Sequence, residues 1–518
     1  MNLSTRHTIR IALVVSMGGF LFGFDASVIS GVIRFIRPQF DLTDLQLGWV
    51  VSSPSISAML AMLVAGPMSD RIGRKRILEG VAFLYVFSAV SSALAPNVGI
   101  LITARMVGGA AFGAALVLAP MYIAEIAPAG LRGRLVSVQQ LNIVLGFSAA
   151  YFSNYLLLGA LGDAVVAAEA NVWRWMLGIE AVPAAIYFLL LFTIPRSPRW
   201  LVSKGLTDEA ADTLRSLHGP EEAEREIREI TESIRREEVG DRAAYRELVG
   251  RGMKTVFSIA VALGVLQQIT GVNAIYFYAP MIFEQSGIGA NASFAQAVWV
   301  GVVNVAFTVV AMLLIDRLGR RPLLLAGLAG IVLSMSVTAY GFRQAEYTLA
   351  TSDLIRVEAA HGRDVAERLE PMADVTFSND VEFKQAARTL LGPEGYRTTE
   401  SVLIESAITM NPLIVLAGIL GFVASFAASL GPVMWVMLSE LFPTRLRGIG
   451  ISIIGFINSF VSWSVQFLFP LELSTIGSAG TYLLYGLFAA IGFVVLYFIL
   501  PETKGRSLEQ LEEELSAA

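Results

Sequence analysis

Twelve times along the chain a run of at least about 19 mostly apolar residues recurs. Nothing constrains the fold more. Backbone placed in hydrocarbon must satisfy its own N–H and C=O groups, so only helices or closed barrels can cross a bilayer. Barrel strands would need only about 9–11 residues, so these runs are helices. They fall near 10–32, 46–68, 77–95, 98–120, 135–159, 174–195, 255–284, 293–315, 322–342, 408–438, 448–470 and 478–500. Of the 518 residues, 55% are hydrophobic and only 16% are charged, which is far from the balance of a soluble domain. The sequence therefore predicts an all-α membrane protein.

Charge placement gives the expected orientation. Of the 38 basic residues, only Arg34, Arg37 and Arg174 fall in short loops on one side, and Arg105 sits inside the fourth span. The other short loops are rich in Lys and Arg, which predicts that both termini are cytoplasmic. The first ten residues lead straight into the first span with no small-residue cleavage site, so that span is expected to be retained. The chain has no cysteine, which removes disulfide and thiol chemistry. No basic face suggests nucleic acid, and no metal-ligand cluster or nucleophile–base pairing appears within the spans. Neither a cofactor nor a metal is expected, and the protein is not expected to be an enzyme.

The chain repeats itself. Asp70-Arg71-Ile72-Gly73-Arg74-Lys75-Arg76 follows the second span, and Asp316-Arg317-Leu318-Gly319-Arg320-Arg321 follows the eighth. Glu125-Ile126-Ala127-Pro128 leads to Leu131-Arg132-Gly133, and Glu440-Leu441-Phe442-Pro443 leads to Leu446-Arg447-Gly448. Two parallel six-span halves are implied. The second pair of motifs lies farther apart than the first, which marks 343–407 as an insertion. Expected domains are 1–198, a six-helix half; 199–254, a cytoplasmic linker with helices near Thr207–Leu217 and Glu221–Glu238; 255–500, the second half; and 501–518, a cytoplasmic tail. The insertion, 343–407, is expected to lie outside the membrane and to hold one or more short helices.

The seventh span carries the main anomaly. It has no charge between Lys254 and Glu284, yet its middle holds Gln267, Gln268 and Asn273. An unpartnered polar group in an apolar medium costs several kcal/mol, roughly 2–7. Such side chains normally face a bundle interior or a wet cavity. At about 100° per residue a straight helix would turn Asn273 away from Gln268. Gly271 between them allows unwinding, which would bring the three together, as in the broken helices of many transporters. Amides both donate and accept hydrogen bonds, which suits a neutral polyhydroxylated ligand. The competing reading is adhesion between helices.

Ordered motifs resemble one family. The repeated Gly66-to-Lys75 pattern resembles the major facilitator superfamily. Gly23-Phe24-Asp25, Gln139-Gln140, Ser197-Pro198-Arg199-Trp200, Gln267-Gln268 with Gly271-Val272-Asn273, Gly431-Pro432 with Trp435, and Pro501-Glu502-Thr503-Lys504-Gly505 resemble its sugar porter family. The likeness is to bacterial proton-coupled pentose and hexose symporters and to facilitative glucose carriers, and it excludes 343–407.

The resemblance implies a sugar site between the halves, at Phe22, Gln140, Gln267, Gln268, Asn273, Phe277, Asn304, Trp435 and Asn458. Phe277 stands where tyrosine is often found, and Ser459 follows Asn458 where an aromatic would help cover the sugar. It also implies a proton switch. Asp25 and Arg105 lie inside the first and fourth spans, an ion pair that is costly there unless it functions. Facilitative carriers typically replace the acid. Asp70, Arg74, Glu125, Arg132, Arg320, Glu440 and Arg447 are expected to form inter-helix salt bridges at the cytoplasmic face that brace the outward-facing state. Arg196 departs from the family's Pro-Glu-Ser-Pro-Arg pattern, so that state should be less firmly locked. The implied partners are a monosaccharide, a proton and the bilayer of the plasma (inner) membrane, which a multi-pass monomer would span. A facilitative sugar or polyol uniporter and a non-transporting sugar sensor are the alternatives.

Overall fold

In a computed structural model, residues 3–128, 131–162, 171–237, 253–443 and 446–504 are described. Twelve helices among them are long and apolar enough to cross a membrane. The first four spans are α1 (Leu3–Gln39), α2 (Asp44–Ile72), α3 (Arg74–Ala93) and α4 (Val98–Ile126), and the fifth is α5 (Arg132–Gly162). The sixth is broken into α6 (Val172–Gly178) and α7 (Ala181–Leu191), with Glu180 at the break. Three amphipathic helices follow: α8 (Pro198–Ser203), α9 (Thr207–His218) and α10 (Pro220–Glu237). The last two match the expected linker helices within a residue at each end. They bury Ala210, Leu214, Leu217 and Ala223 and leave their charges outside.

The second half begins with α11 (Lys254–Ile269) and α12 (Val272–Glu284), which share the seventh span. Gly271 separates them at φ 92°, in the left-handed region that favours glycine. The expected break is therefore present. Next come α13 (Ala290–Leu318) and α14 (Arg320–Arg343).

The insertion is a folded subdomain. It contains β1 (Glu346–Thr348), α15 (Leu354–His361), α16 (Arg363–Leu369), β2 (Thr376–Phe377) and α17 (Asp380–Ala407), and β3 (Ile408–Thr409) adjoins it. Strand β1 pairs antiparallel with both β2 and β3. Tyr347, Leu349, Val357, Leu369, Phe383, Tyr396 and Leu403 form its core. Short helices were expected; the sheet was not, and Ile408–Thr409 belongs to it rather than to the tenth span. That span is α18 (Pro412–Ala428) and α19 (Leu430–Leu441), broken at Ser429. The last two are α20 (Arg447–Thr475) and α21 (Gly477–Ile499).

The halves meet through α1 against α12, α2 against α20 and α5 against α13. Of these three, the α2–α20 contact is the closest. A Cβ on Gly48 would lie 2.1 Å from the Phe467 carbonyl oxygen, so only glycine admits this approach. Trp49 meets Trp463 and Phe467 edge-on, at 6.3 and 6.2 Å between centroids.

Near the insertion, Arg34 of α1 bonds Glu284 of α12 at 2.9 Å, across the halves. The subdomain reaches both halves on this insert face. Arg37 of α1 pairs with Glu400 at 2.9 Å and with Asp44 at 2.7 Å, and Arg397 pairs with Asp41 at 2.5 Å. Asp380 accepts the Ser478 N–H and hydroxyl at the start of α21, both at 3.0 Å, and pairs with Lys384 at 3.1 Å. Burial pushes the Asp380 proton affinity up. Lys384 and the two Ser478 donors outweigh that and hold the carboxyl below its usual range.

Candidate functional site

The break at Gly271 organises a cluster of amides. Gln268 donates to the Gln267 Oε1 at 3.2 Å and the Asn458 Oδ1 at 3.1 Å. Asn273, brought round by the break, donates to the Gln268 Oε1 at 2.7 Å and the Ser462 Oγ at 2.5 Å. Asn458 donates to the Gln267 Oε1 and the Gly264 carbonyl, both at 2.8 Å. Gln267 donates to the carbonyls of Leu430 and Gly431, at 3.0 and 3.2 Å, where the tenth span is broken. Four of the expected site residues, from α11, α12 and α20, are thus tied together rather than spread over separate neighbours. Each amide nitrogen already has at least two acceptors, as many as its N–H groups can serve.

The other expected residues make none of these bonds. Phe22 packs on Phe112 at 4.8 Å and on Phe147 at 6.3 Å. Phe277 is buried, 5% exposed, in α12. Gln140 is half-buried in α5, Asn304 is buried in α13 and Trp435 is 40% exposed in α19. None of these three side chains makes a hydrogen bond among the described residues.

Two further polar residues, Ser462 and Gln466, extend the cluster. They stand four and eight residues after Asn458 on one helix face, a stripe that was open to reading in the sequence. Gln466 donates to the Ser462 Oγ at 2.9 Å, and Ser55 of α2 donates to the Gln466 Oε1 at 2.9 Å.

In the first half, Arg105 and Asp25 meet at 3.4 Å, and both are almost wholly buried. The pair is loose. Asp25 Oδ2 and Arg105 Nε and Nη2 are buried with no hydrogen-bond partner among the described residues. Asp25 and Arg105 are not the only buried charges in the membrane part of this half. Glu180, at the α6–α7 break, is a second buried acid, 4% exposed. The signal for Glu180 was a single acid within an otherwise apolar span.

At the linker face, on the opposite side from the insertion, the repeated motifs form matching clusters. Arg74 pairs with Asp70 at 2.7 Å and Glu125 at 3.2 Å, and Glu125 also accepts the Ser197 hydroxyl. Arg320 pairs with Asp316 at 3.2 Å and Glu440 at 2.8 Å, and Glu440 accepts the Thr503 hydroxyl at 2.5 Å. Each cluster joins helices within its own half.

Two details depart from expectation. Arg447 makes no ion pair among the described residues, and its Nε has no partner there; the helix start brings it to no carboxylate. The Arg132 side chain lies outside the described residues. Glu502 caps α14 by accepting the Arg320 and Arg321 N–H groups, each at 3.1 Å. At the matching place in the first half stands Arg196, which pairs with Glu209 at 3.5 Å instead, and α3 starts with no side-chain cap. His218 of α9 holds the linker under α4: one ring nitrogen meets Glu226 at 2.8 Å and the other the Ile126 carbonyl at 2.9 Å.

Twelve helices able to span a membrane, in two repeated halves, with bonded amides at a helix break in the second, are the architecture of a transporter of the major facilitator kind. Comparison with known proteins gives the family. The sugar (and other) transporter model matches residues 11–352 and 398–515, leaving out the middle of the insertion. The chain is 34% identical over 505 residues to the arabinose-proton symporter of Bacillus subtilis (strain 168), covering 98% of this chain and 94% of that protein. It is 31% identical to the D-xylose-proton symporter of Escherichia coli (strain K12), covering 98% and 96%. The inward open conformation of the xylose transporter XylE from E. coli superposes with a TM-score of 0.74 at 28% identity, covering 98% of this chain and 99% of that one. The chain belongs to the sugar porter family of the major facilitator superfamily. It is a multi-pass protein of the plasma membrane, in a family of transporters rather than enzymes.

Proposed function

We propose that the protein is a proton-coupled symporter of a monosaccharide, a pentose or hexose, that works by alternating access. Sugar binds between the halves. The amide cluster of Gln267, Gln268, Asn273 and Asn458 exchanges its internal bonds for sugar hydroxyls. Gln140, Asn304 and the Trp435 indole N–H supply further polar groups, and Phe22 and Phe277 pack on apolar ring faces. Both termini and the linker face are cytoplasmic, and the insert face is outside. The clusters around Arg74 and Arg320 each tie together the cytoplasmic helix ends of one half as the cavity alternates.

The observation that carries coupling is the buried Asp25–Arg105 pair, 3.4 Å apart. Asp25 Oδ2 and Arg105 Nε and Nη2 have no hydrogen-bond partner among the described residues, and so poorly satisfied an ion pair is costly in a membrane unless it functions. Proton arrival at Asp25 releases Arg105, and release of the cation accompanies sugar binding and closure from outside. A proton lost on the cytoplasmic side restores the pair and completes the cycle.

Reconstituted protein tests this. With a pH gradient, acid outside, it should accumulate a labelled pentose or hexose above the equilibrium level, and Asp25→Asn should abolish accumulation while preserving counterflow. Counterflow without accumulation in the wild type would make it a uniporter. Sugar binding with neither would make it a sensor.

A further inference from the structure

The amide cluster does not end at Asn273. Its bonds continue along α20 and out of the second half. Asn273 donates to Ser462, Gln466 donates to the same Ser462 oxygen, and Ser55 of α2 donates to Gln466. Gln466 is 1% exposed and Ser462 8%. The chain of bonds therefore runs, shielded from solvent, from the expected sugar site to the other half of the protein. It reaches α2 where the halves approach most closely, beside Gly48, Trp49, Trp463 and Phe467.

At the sugar-site end of this chain the donors are fully committed. Asn273 has two N–H groups and spends them on Gln268 and Ser462. A hydroxyl that takes a hydrogen bond from Asn273 must displace one of these. Displacing the second leaves Ser462 bonded to Gln466 alone. The Ser55–Gln466 bond, in turn, can exist only while α2 and α20 touch, and opening the insert face would separate them. Leaving a buried amide oxygen without its donor costs about 1–3 kcal/mol.

We propose that Gln466 is a positioning residue for transport: it couples occupancy of the amide cluster to the contact between α2 and α20. It touches neither sugar nor proton. It holds Ser462 for Asn273 on one side and Ser55 on the other, so a change at either end alters the bond at the other. The inference rests on the sugar-transport reading and adds a residue and a route to it.

The test uses the full chain in nanodiscs. Spin labels on cysteines introduced at Leu45 and Thr475 report the distance between the ends of α2 and α20, with D-xylose, arabinose and D-glucose as probes. Sugar affinity is measured in parallel by thermal-shift titration. In the wild type a binding sugar should shift the ratio of closed to open populations. Gln466→Met and Ser55→Ala should each reduce that sugar-dependent shift by about tenfold, within the range of ordinary coupling energies. Combining them should do no more than either alone, because both break one chain. Ser55→Thr, which keeps the hydroxyl, should restore the shift. Variants that lower thermal stability yet keep the wild-type shift would reduce Gln466 to packing and overturn the proposal alone. If no probe binds the wild type, the monosaccharide reading fails and takes the proposal with it.

Discussion

Gly48→Ala should hold the insert face open. A Cβ there would lie 2.1 Å from the Phe467 carbonyl oxygen and 3.0 Å from its carbon. The obstacle is backbone, so no rotamer change removes it. Reaching ordinary contact of about 3.4 Å would require α20 to withdraw by roughly 1.3 Å (3.4 − 2.1), and Trp49, Trp463 and Phe467 would lose their fit. Overpacking of this kind costs about 1–3 kcal/mol. The cost falls only on the state in which α2 and α20 touch, so the population ratio should move toward the open state by about 5–150-fold. The chain has no cysteine of its own, so labels at Leu45→Cys and Thr475→Cys report this distance without background. The expected result is a longer dominant distance in Gly48→Ala, with the fold intact by circular dichroism. An unchanged distribution would refute the reasoning, because it would mean that this contact does not distinguish the two states.

Other outcomes follow from the ion pairs. Arg37→Met should strand Glu400 and leave Asp44 only its longer pair with Arg388, at 3.7 Å; breaking a buried pair costs about 3–5 kcal/mol, so the thermal unfolding midpoint should fall markedly, and an unchanged midpoint would show the insertion to be loosely attached. His218 should make linker docking depend on pH. Burial lowers its proton affinity, but the Glu226 hydrogen bond and charge, the Ile126 carbonyl and the Glu222 charge outweigh it and raise the value above the ordinary 6.5. A base whose affinity rises on docking stabilises the docked form fully below about 6.5 and loses that contribution as pH climbs through the raised value. Protection from hydrogen exchange over 207–237, taken relative to the intrinsic exchange rate at each pH, should therefore be higher near pH 6 than near pH 8.5, and His218→Gln should abolish that difference in protection. Arg196→Glu should give α3 the carboxylate cap that Glu502 gives α14, worth about 0.5–2 kcal/mol, and shift the insert-face distance toward the open form; no shift on that substitution would separate the cap from gating.

The twelve spans and the break at Gly271 were legible because both are local. Hydropathy is a running property of the sequence, and a glycine between amides in an apolar stretch has few other uses. The same logic found Gln267, Gln268 and Asn273, and family likeness added Asn458. It passed over Ser462 and Gln466, although their four-residue spacing from Asn458 placed them on the same face. Glu180 was missed because one acid barely lowers the mean hydropathy of its span, yet it is buried at the helix break. The sheet of the insertion was not legible: strands of two and three residues have no alternation to detect. Contacts such as Arg37–Glu400 join residues far apart in sequence, and nothing local announces them. Arg447 shows the converse, a motif position whose expected carboxylate is not beside it.

The measurement that bears most directly on proton-coupled sugar transport is the pH of a weakly buffered suspension of proteoliposomes when sugar is added. With a sugar that stabilises the protein, the wild type should draw protons inward and make the medium more alkaline, while Asp25→Asn, still competent in counterflow, should leave the pH still. Sugar entry with no proton movement in the wild type, or undiminished proton movement in Asp25→Asn, would contradict the account.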